Sequence, residues 1–507
     1  MRGVVSMVRK VLVANRGEIA CRILRACNEA GLPSVAIYAE NDASSMFVEL
    51  ADEAVLLTGG TIGETYLDQD QILAIAKSTG ADAIHPGFGF LSERADFARA
   101  VGHAGLQWVG PSPEAIEQMG DKMTARITMR AAGVPVIPGE EIEHEDEADA
   151  LAAIEAASHR VGYPMLLKAS SGGGGKGMRA VHAPEDLIES AKGARREAIA
   201  AFGDGRVYLE RLLTGSKHVE IQVLADRHGR TIHLGERECS VQRRHQKVFE
   251  EAPCATMTPE LREAMGQAAV AAAEAVDYEG AGTVEFLLAP TGEFFFLEMN
   301  TRIQVEHPVT ELVTGVDLVR EQLRIAAGEP MSCGPLMMRG HAIEVRLYAE
   351  DAANNFLPAI GPLAVFRPPE GPGVRLDTGV REGDEVTPNY DPMLAKLIVW
   401  APSRPEALQR MRRALDEFVV LGTTTNIRFL RELCDEPEVI TGATDTTTID
   451  RIWPNGWQPT VPRAVEDMAL MAAAVAESAG LHRKQSMAST GGQDAPSPFE
   501  TIGRRFP

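Results

Sequence analysis

The stretch Thr283-Val-Glu-Phe-Leu-Leu-Ala-Pro-Thr-Gly-Glu-Phe-Phe-Phe-Leu-Glu298-Met-Asn-Thr-Arg-Ile-Gln-Val-Glu306 carries two runs of β-branched and aromatic residues around a Pro-Thr-Gly turn signal. This pattern predicts a β-hairpin. A two-residue Thr291-Gly292 loop would place Glu285 opposite Glu298. Like charges that face each other across a strand pair are destabilising unless a cation lies between them. The hairpin therefore predicts a metal site, and carboxylate oxygens suit Mg²⁺, which bridges to nucleotide phosphates.

The residues after Glu298 extend this interpretation. Residues two apart on a strand share a face, so a continued strand would direct four polar side chains into one cavity: Asn300, Arg302, Gln304 and Glu306. An amphipathic hairpin with a solvated charged face is the alternative. It explains this spacing poorly once the rest of the chain is considered.

A second signal is Pro164-Met-Leu-Leu-Lys168-Ala-Ser-Ser-Gly172-Gly-Gly-Gly-Lys176-Gly-Met178, a short apolar strand that ends in a lysine and enters a glycine loop. Glycines let consecutive backbone N–H groups close over phosphate oxygens. A Walker A loop needs a hydroxyl residue after its lysine, but Gly177 follows Lys176 here. The segment therefore predicts a mobile lid over ATP. A flexible linker is the alternative, although such linkers usually carry more serine.

A third signal is the cluster Gln242-Arg-Arg-His-Gln-Lys247, which concentrates cations and amides in a strongly acidic chain. Lysine offers a point charge to a phosphate or carbonate oxygen, while arginine offers a bidentate fork. A solvated basic patch is the alternative for the cluster in isolation. Beside the other two signals, phosphate and bicarbonate are the favoured ligands.

Composition excludes several classes of protein. The chain of 507 residues has a formal net charge of -22, which argues against nucleic acid as a partner. Its six cysteines show neither a Cys-x-x-Cys pair nor zinc spacing, so reduced thiols in a cytoplasmic protein are expected. Residues 1–7 lack the apolar core of a signal peptide, and no stretch approaches a membrane span.

The chain resembles the biotin carboxylases of the ATP-grasp superfamily, over roughly residues 8–455 and with the motifs in family order. The motifs that carry the resemblance are Ala14-Asn-Arg-Gly-Glu-Ile-Ala20, His85-Pro-Gly-Phe-Gly-Phe-Leu-Ser-Glu93, Gly120-Asp-Lys122, Lys168 with Gly172 to Met178, His218-Val-Glu-Ile-Gln222, Gln242 to Lys247, Glu298 to Pro308, Glu344-Val-Arg346 and Tyr390-Asp-Pro-Met-Leu-Ala-Lys396.

The resemblance implies an α/β protein with the ATP-grasp fold. The expected parts are an N-terminal Rossmann-like domain over 1–118, a helical linker over 119–134, a small α+β lid domain over 135–211, a large C-terminal α+β catalytic domain over 212–455 and a tail over 456–507. A strand at Val11 to Ala14 and a helix at Gly17 to Ala30 open the first domain. Because the turn between them lacks Gly-x-Gly-x-x-Gly, no pyrophosphate site is predicted there.

The resemblance also implies the ligands ATP, Mg²⁺ or Mn²⁺, bicarbonate and carrier-bound biotin. Glu285, Glu298 and Asn300 fall on the metal positions. The positions that would contact ATP are Lys122, Lys168, Gly172, Gly173, Gly174, Gly175, Lys176, Gly177, Met178, Glu210, Leu213, His218, Gln242 and His245.

In the same family pattern, bicarbonate is held by Lys247, Arg302, Gln304 and the backbone of Val305. Glu306 matches the base that deprotonates bicarbonate, which attacks the γ-phosphate and gives carboxyphosphate and ADP. Released CO₂ is then captured by biotin, whose developing enolate oxygen Arg346 would stabilise. The catalytic set is therefore Glu306, Arg302, Lys247 and Arg346.

Biotin would contact Arg302, Arg346 and Phe88. Many family members carry tyrosine at the position of Phe88, so a contact between a hydroxyl and biotin is absent here. No Ala-Met-Lys-Met biotin attachment motif occurs, so a stand-alone subunit that acts on a separate biotin carboxyl carrier protein, together with carboxyltransferase subunits, is expected. The final acceptor of the carboxyl group is left open.

A homodimer is also expected from the family, with Arg22 as a candidate contact. Two alternatives of a different kind remain at this stage. One is another ATP-grasp ligase that phosphorylates bicarbonate, and the other is a non-catalytic nucleotide-binding subunit of a carboxylase complex. Retention of both metal carboxylates, the base and the phosphate lysines favours the enzyme.

Overall fold

The computed structural model describes residues 8–142, 146–169, 179–202, 206–244, 246–334, 336–460 and 467–475. Residues 1–457 form one compact unit and residues 458–507 form a second. In the second unit, residues 467–475 are helical. Among the helices described, none combines the length and the apolar character that a membrane crossing requires.

The N-terminal part of the first unit contains a parallel sheet in the order β3-β2-β1-β4-β5. Short apolar strands such as Val11–Val13 are buried along their whole length, as expected where helices cover both faces of a parallel sheet. The strands are β1 Val11–Val13, β2 Ser34–Tyr38, β3 Glu53–Leu56, β4 Ala83–His85 and β5 Gln107–Trp108. The helices are α1 Gly17–Glu29, α2 Met46–Leu50, α3 Gln69–Thr79, α4 Ala95–His103 and α5 Pro113–Gly120.

The predicted opening of this domain is confirmed with small shifts at its ends. The first strand ends at Val13 rather than Ala14, and the first helix ends at Glu29 rather than Ala30. One apolar stripe of this helix is buried, with Ile19, Ile23, Leu24 and Cys27 in the core.

The helix α6 Lys122–Ala131 leads into a small antiparallel sheet in the order β6-β9-β7-β8. The elements of this region, which the sequence predicts to be a lid, are β6 Gly139–Ile142, α7 Glu147–Val161, β7 Met165–Ala169, β8 Arg179–Val181, α8 Leu187–Phe202 and β9 Val207–Arg211. The predicted glycine loop from Gly172 to Met178 lies outside the described residues. The domain boundaries proposed from the sequence stay predictions.

The largest sheet has eight antiparallel strands in the order β14-β13-β10-β11-β12-β15-β22-β20. The strands of this region are β10 Lys217–Ala225, β11 Thr231–Arg243, β12 Gln246–Ala252, β13 Gly280–Leu288, β14 Phe294–Asn300, β15 His341–Tyr348, β16 Glu350–Asp351, β17 Leu357–Pro358, β18 Gly361–Pro362, β19 Val365–Arg367, β20 Val374–Thr378, β21 Glu385–Val386, β22 Met393–Ala401 and β23 Val419–Leu421. The helices are α9 Pro259–Glu274, α10 His307–Thr314, α11 Leu318–Ala326, α12 Arg404–Glu417, α13 Ile427–Leu433, α14 Pro437–Thr441 and α15 Thr448–Ile452.

Strand alternation separates the core of this sheet from its polar side. On β10, Val219, Ile221 and Val223 pack into the apolar core with residues of α9. The intervening residues His218, Glu220 and Gln222 point to the opposite face and are also buried. A strand that is buried on both faces can therefore place charged groups at fixed positions inside the protein.

The hairpin of β13 and β14 pairs Glu285 with Glu298, as the sequence predicts, although the predicted two-residue loop is wrong. The backbone N–H of Ala289 donates to the carbonyl of Glu293, and these two residues enclose a three-residue turn that ends at Gly292, whose φ is 88°. This longer turn shifts the register by one residue. A bulge at Leu297 shifts it back, because Phe286 faces Phe296 while Glu285 faces Glu298.

We expect Gly379→Ala to destabilise the contact between the N-terminal domain and the large sheet. A β-carbon at Gly379 would lie 2.5 Å from the backbone carbon of Gly17 and 2.6 Å from the backbone nitrogen of Glu18. Such overpacking against backbone costs about 1–3 kcal/mol. Thermal unfolding followed by circular dichroism measures the effect.

The matched control is Gly102→Ala in α4, where an added β-carbon meets nothing within 4 Å. Alanine stabilises a helix interior relative to glycine by roughly 0.5–1 kcal/mol. A melting temperature for Gly379→Ala equal to that of the unmodified chain would contradict the tight approach of the two backbones.

Candidate active site

Lys247, near the start of β12, lies at the centre of the polar face of the large sheet. Its ammonium donates to Glu220 at 2.6 Å, to Glu285 at 2.9 Å and to Glu306 at 2.7 Å. Burial by itself would lower the pKa of Lys247, but the three carboxylates outweigh it and hold that pKa well above its usual value. Lys247 is therefore a permanent cation that holds three acidic side chains together.

Glu306 lies between two cations. Its second oxygen accepts from Arg346 at 2.9 Å, opposite the bond from Lys247. Burial would raise the pKa of Glu306, but Lys247, Arg346 and Arg237 together hold that pKa well below its usual range. Glu306 is thus an ionised carboxylate held between two cations.

Glu285 on β13 is the most heavily coordinated carboxylate of the site. One of its oxygens accepts from Lys247, from Asn300 at 2.9 Å and from Gln304 at 2.7 Å. The other oxygen lies 2.9 Å from the ring of His218. Despite burial, which acts in the opposite direction, Lys247 and His218 hold the pKa of Glu285 well below its usual value.

The paired carboxylates fit a hard divalent cation. Glu298 is exposed beside Glu285, and its pKa is raised by desolvation and then by the charge of Glu285. A cation bound between the two would relieve that repulsion, and carboxylate oxygens are the donors that Mg²⁺ and Mn²⁺ take. Asn300 lies next to them, although its side-chain oxygen accepts from Arg302 at 2.8 Å.

The predicted continuation of the strand through Glu306 is wrong. β14 ends at Asn300, and residues 301–306 form an irregular loop that leads into α10. The polar side chains nevertheless converge, because Asn300 and Gln304 both donate to Glu285 while Glu306 reaches Lys247. A loop can bring such residues together without strand parity.

Lys396 holds the loop of residues 301–306 in place. The fully buried ammonium donates to the backbone carbonyl of Val305 at 2.8 Å and lies 3.2 Å from Glu18 at the start of α1. It therefore joins the N-terminal domain to the residue whose backbone was predicted to bind bicarbonate. Lys396 closes the family motif that begins at Tyr390, but the sequence predicts no role for its side chain.

Two further acidic partners were also missed. Arg302 lies 3.0 Å from Glu93, which ends the loop after β4, so that loop reaches the site. Arg346 on β15 donates through Nε to the buried Glu250 at 2.6 Å. Glu250 stands in β12 three residues after Lys247, but that strand also carries Gln246 and Glu251, so no local pattern distinguishes it.

The described members of the predicted ATP set lie on β7, β9, β10, β11, the start of α6 and the segment after β9. Lys168 on β7 forms an ion pair with Glu210 on β9, and Glu210 also accepts from Arg126 at 3.0 Å. Lys122 opens α6, and its positive charge lowers the pKa of Glu298 against the larger effect of desolvation. Leu213 follows β9, His218 stands on β10 and Gln242 on β11, whereas His245 lies outside the described residues.

Phe88 is half-buried on the loop after β4 and packs against the core of the N-terminal domain. Asn15 holds this loop by donating to the carbonyls of Pro86 and Phe88, both at 2.7 Å. The loop is therefore rigidly placed between the first strand and Arg302. Contact of Phe88 with biotin stays a prediction.

Arg22, the predicted dimer contact, is engaged within its own chain. One Nη donates to Glu311 at 2.8 Å and to Asp317 at 2.7 Å, and the side chain is 10% exposed. Its guanidinium thus has limited surface for a second subunit. Its role in a dimer stays a prediction.

Comparison with known proteins identifies three family matches along the chain. The biotin carboxylase N-terminal domain matches residues 7–116, the ATP binding domain of the carbamoyl-phosphate synthase L chain matches 121–333, and the biotin carboxylase C-terminal domain matches 344–451. Together they include each of the site residues described above.

Two curated relatives illustrate the similarity. The biotin carboxylase of Nostoc is 48% identical over 445 residues, which cover 87% of this chain and 99% of that protein. The mitochondrial methylcrotonoyl-CoA carboxylase subunit alpha of Dictyostelium discoideum is 46% identical over 98% of this chain and 70% of that protein.

Solved structures agree with the fold. The biotin carboxylase domain dimer of Hydrogenobacter thermophilus 2-oxoglutarate carboxylase, in complex with MgADP, ADP and bicarbonate, has a TM-score of 0.80 and 44% identity over 88% of this chain and 98% of that one. Campylobacter jejuni biotin carboxylase has a TM-score of 0.81 and 39% identity over 87% and 98%. The chain therefore belongs to the biotin carboxylase family, whose members are ATP-dependent ligases of the ATP-grasp fold.

Proposed function

We propose that this chain uses ATP and bicarbonate to carboxylate biotin held on a carrier, with Glu306 as the base. The observation that supports this assignment is the position of Glu306 between Lys247 and Arg346, with bonds of 2.7 and 2.9 Å. One cation belongs to the predicted bicarbonate set and the other to the predicted biotin set. The carboxylate of Glu306 therefore contacts one residue proposed to bind bicarbonate and one proposed to bind biotin.

The electrostatics give Glu306 a way to be switched on. While both cations bind it, the pKa of Glu306 is held well below its usual range, which weakens it as a base. Bicarbonate bound to Lys247 would compete with Glu306 for the ammonium. A biotin carbonyl bound to Arg346 would compete with Glu306 for the guanidinium. Each competition raises the proton affinity of Glu306, so base strength would depend on the presence of both substrates.

The remaining residues would bind and orient the nucleotide. Lys122 and Lys168 would meet the phosphates, and Glu285 and Glu298 would hold the metal ion. When bound, that ion neutralises phosphate charge at the transferred group. Attack of bicarbonate oxygen on the γ-phosphate would then form carboxyphosphate and release ADP, with the bicarbonate proton passing to Glu306.

The carrier and the other subunits belong to the same proposal. The biotinyl lysine would come from outside these 507 residues, since they contain no Ala-Met-Lys-Met. The similarity to carboxylase alpha subunits fits a place in a carboxylase complex with a carrier and a carboxyltransferase. The six cysteines are all free thiols, which fits a cytoplasmic location.

The purified chain with Mg²⁺ should cleave ATP slowly with bicarbonate alone and faster when free biotin is added. ADP release, coupled to a spectrophotometric reporter, measures both rates, and labelled bicarbonate measures carboxybiotin. An absence of bicarbonate-dependent ADP release, with carrier protein also ineffective, would favour a non-catalytic nucleotide-binding subunit instead.

For Glu306→Gln we expect turnover to fall about 10²–10⁴-fold, the usual contribution of a general base, with little change in nucleotide affinity. The glutamine is nearly isosteric but accepts a proton far less readily. Steady-state ADP release gives turnover, and titration with a fluorescent nucleotide gives affinity.

The control is Glu417→Gln, which removes an exposed carboxylate paired with Arg413 on α12 and should leave both values unchanged. Equal losses of ATP binding and turnover in Glu306→Gln would make Glu306 a structural residue.

For Arg346→Ala we expect the rate of biotin carboxylation to fall by about 10²–10³-fold, because an oxyanion partner is lost, while slow bicarbonate-dependent ATP cleavage persists. Separate measurement of carboxybiotin and ADP detects the split. Arg413→Ala is the matched control at the surface of α12. An unimpaired yield of carboxybiotin would remove the role assigned to Arg346.

A further inference from the structure

Arg237 on β11 is fully buried beneath the site, and all five of its N–H donors are used. Nε donates to Glu220, Nη1 to Gln222 at 2.7 Å and to Thr310 at 2.9 Å, and Nη2 to Thr283 at 3.0 Å and to Gln304 at 2.7 Å. A guanidinium carries five donors in a fixed fork, so its hydrogen-bonding capacity is filled. The planar guanidinium therefore fixes the direction in which each acceptor lies.

Among these acceptors, Gln304 belongs to the loop that was predicted to bind bicarbonate. Its side-chain amide could present either its oxygen or its nitrogen to any given neighbour. Arginine has no acceptor, so the amide must turn its oxygen toward Arg237. The nitrogen then points to the other side, where it donates to Glu285 at 2.7 Å. Two independent partners therefore require the same orientation.

This orientation matters for an anionic ligand. An amide nitrogen carries two N–H donors, and one of them is given to Glu285. The second N–H is left for an anion that enters beside Lys247. With the amide reversed, the same anion would face an amide oxygen, which repels it. The orientation of one buried amide thus decides whether the position attracts or repels bicarbonate.

We propose that Arg237 is a positioning residue for bicarbonate. It acts through Gln304, because it binds the side-chain amide oxygen of Gln304 and so directs an amide N–H toward the anion. This inference rests on the proposed function, because it assumes that bicarbonate binds at the Gln304 and Lys247 side of the site. Arg237 itself is fully buried and acts only through the residues that it holds.

A second contact links Arg237 to Lys247. Arg237 also binds Glu220, whose other oxygen accepts from Lys247 at 2.6 Å. The register places Glu220 directly between Arg237 on β11 and Glu285 on β13. One guanidinium therefore orients the amide donor and supports a carboxylate that holds the bicarbonate lysine. Both effects concern the same ligand.

The test is a double-mutant cycle of Arg237→Lys and Gln304→Ala. Lysine keeps the charge but loses the fork, so it cannot bind Glu220 and Gln304 in the same geometry. Arg237→Lys should raise the KM for bicarbonate roughly tenfold or more, as loss of a charge-assisted hydrogen bond would, with the Kd for ATP within about twofold. In the Gln304→Ala background, Arg237→Lys should add little further increase.

Arg262→Lys on α9 is the matched control. Arg262 forms a fork with the buried carboxylate of Glu236, the neighbour of Arg237 that points to the opposite face of β11. Arg262→Lys thus makes the same arginine-to-lysine change on the face of β11 opposite Arg237. Its KM for bicarbonate should equal that of the unmodified chain even if its melting temperature falls.

If Arg237→Lys does not fold, Arg237→Gln replaces it, since Glu220 then keeps Lys247 as a partner. Failure of both variants to fold would overturn the inference and make Arg237 purely structural. An unchanged KM for bicarbonate, or fully additive effects with Gln304→Ala, would also overturn it. If the unmodified chain showed no bicarbonate-dependent cleavage of ATP, the proposed function itself would be contradicted.

Discussion

One ammonium group among three buried carboxylates is the constraint on which the site depends. Lys247 has three N–H donors, and each is given to a different glutamate: Glu220, Glu285 and Glu306. These glutamates come from two strands and a loop. Burial of such a cluster carries a large desolvation penalty, and loss of one partner destabilises the protein because a buried charge is left unpaired. The cluster therefore contributes a fixed geometry rather than net stability. The proposed base Glu306 and the proposed metal ligand Glu285 share this one cation, which is also the proposed bicarbonate ligand.

The large sheet makes such a cluster possible. Its strands bury apolar side chains on one face and charged side chains on the other, so the packing that stabilises the domain also fixes the charges. Arg237 and Lys396 extend the network to the loop at Gln304 and Val305 and to the N-terminal domain. The loop has no regular structure of its own. Two buried cations hold it in place.

Local patterns and family motifs predicted much of this arrangement. The pairing of Glu285 with Glu298, the first strand and helix, and the ATP-grasp family assignment are confirmed. Strand parity failed after Asn300, because sequence alternation does not reveal where hydrogen bonding to a neighbour ends. The roles of Arg237 and Lys396 were not predicted either. They depend on contacts between segments far apart in the chain, which no local pattern records.

The β13–β14 hairpin carries one extra residue in its turn and one in its second strand, and the two cancel at Glu298. If the second strand kept all its residues but ran straight past Leu297, Leu297 would face Glu285 and Glu298 would turn to the other side of the sheet. The bulge therefore keeps the two acids on one face, where one cation could bind both.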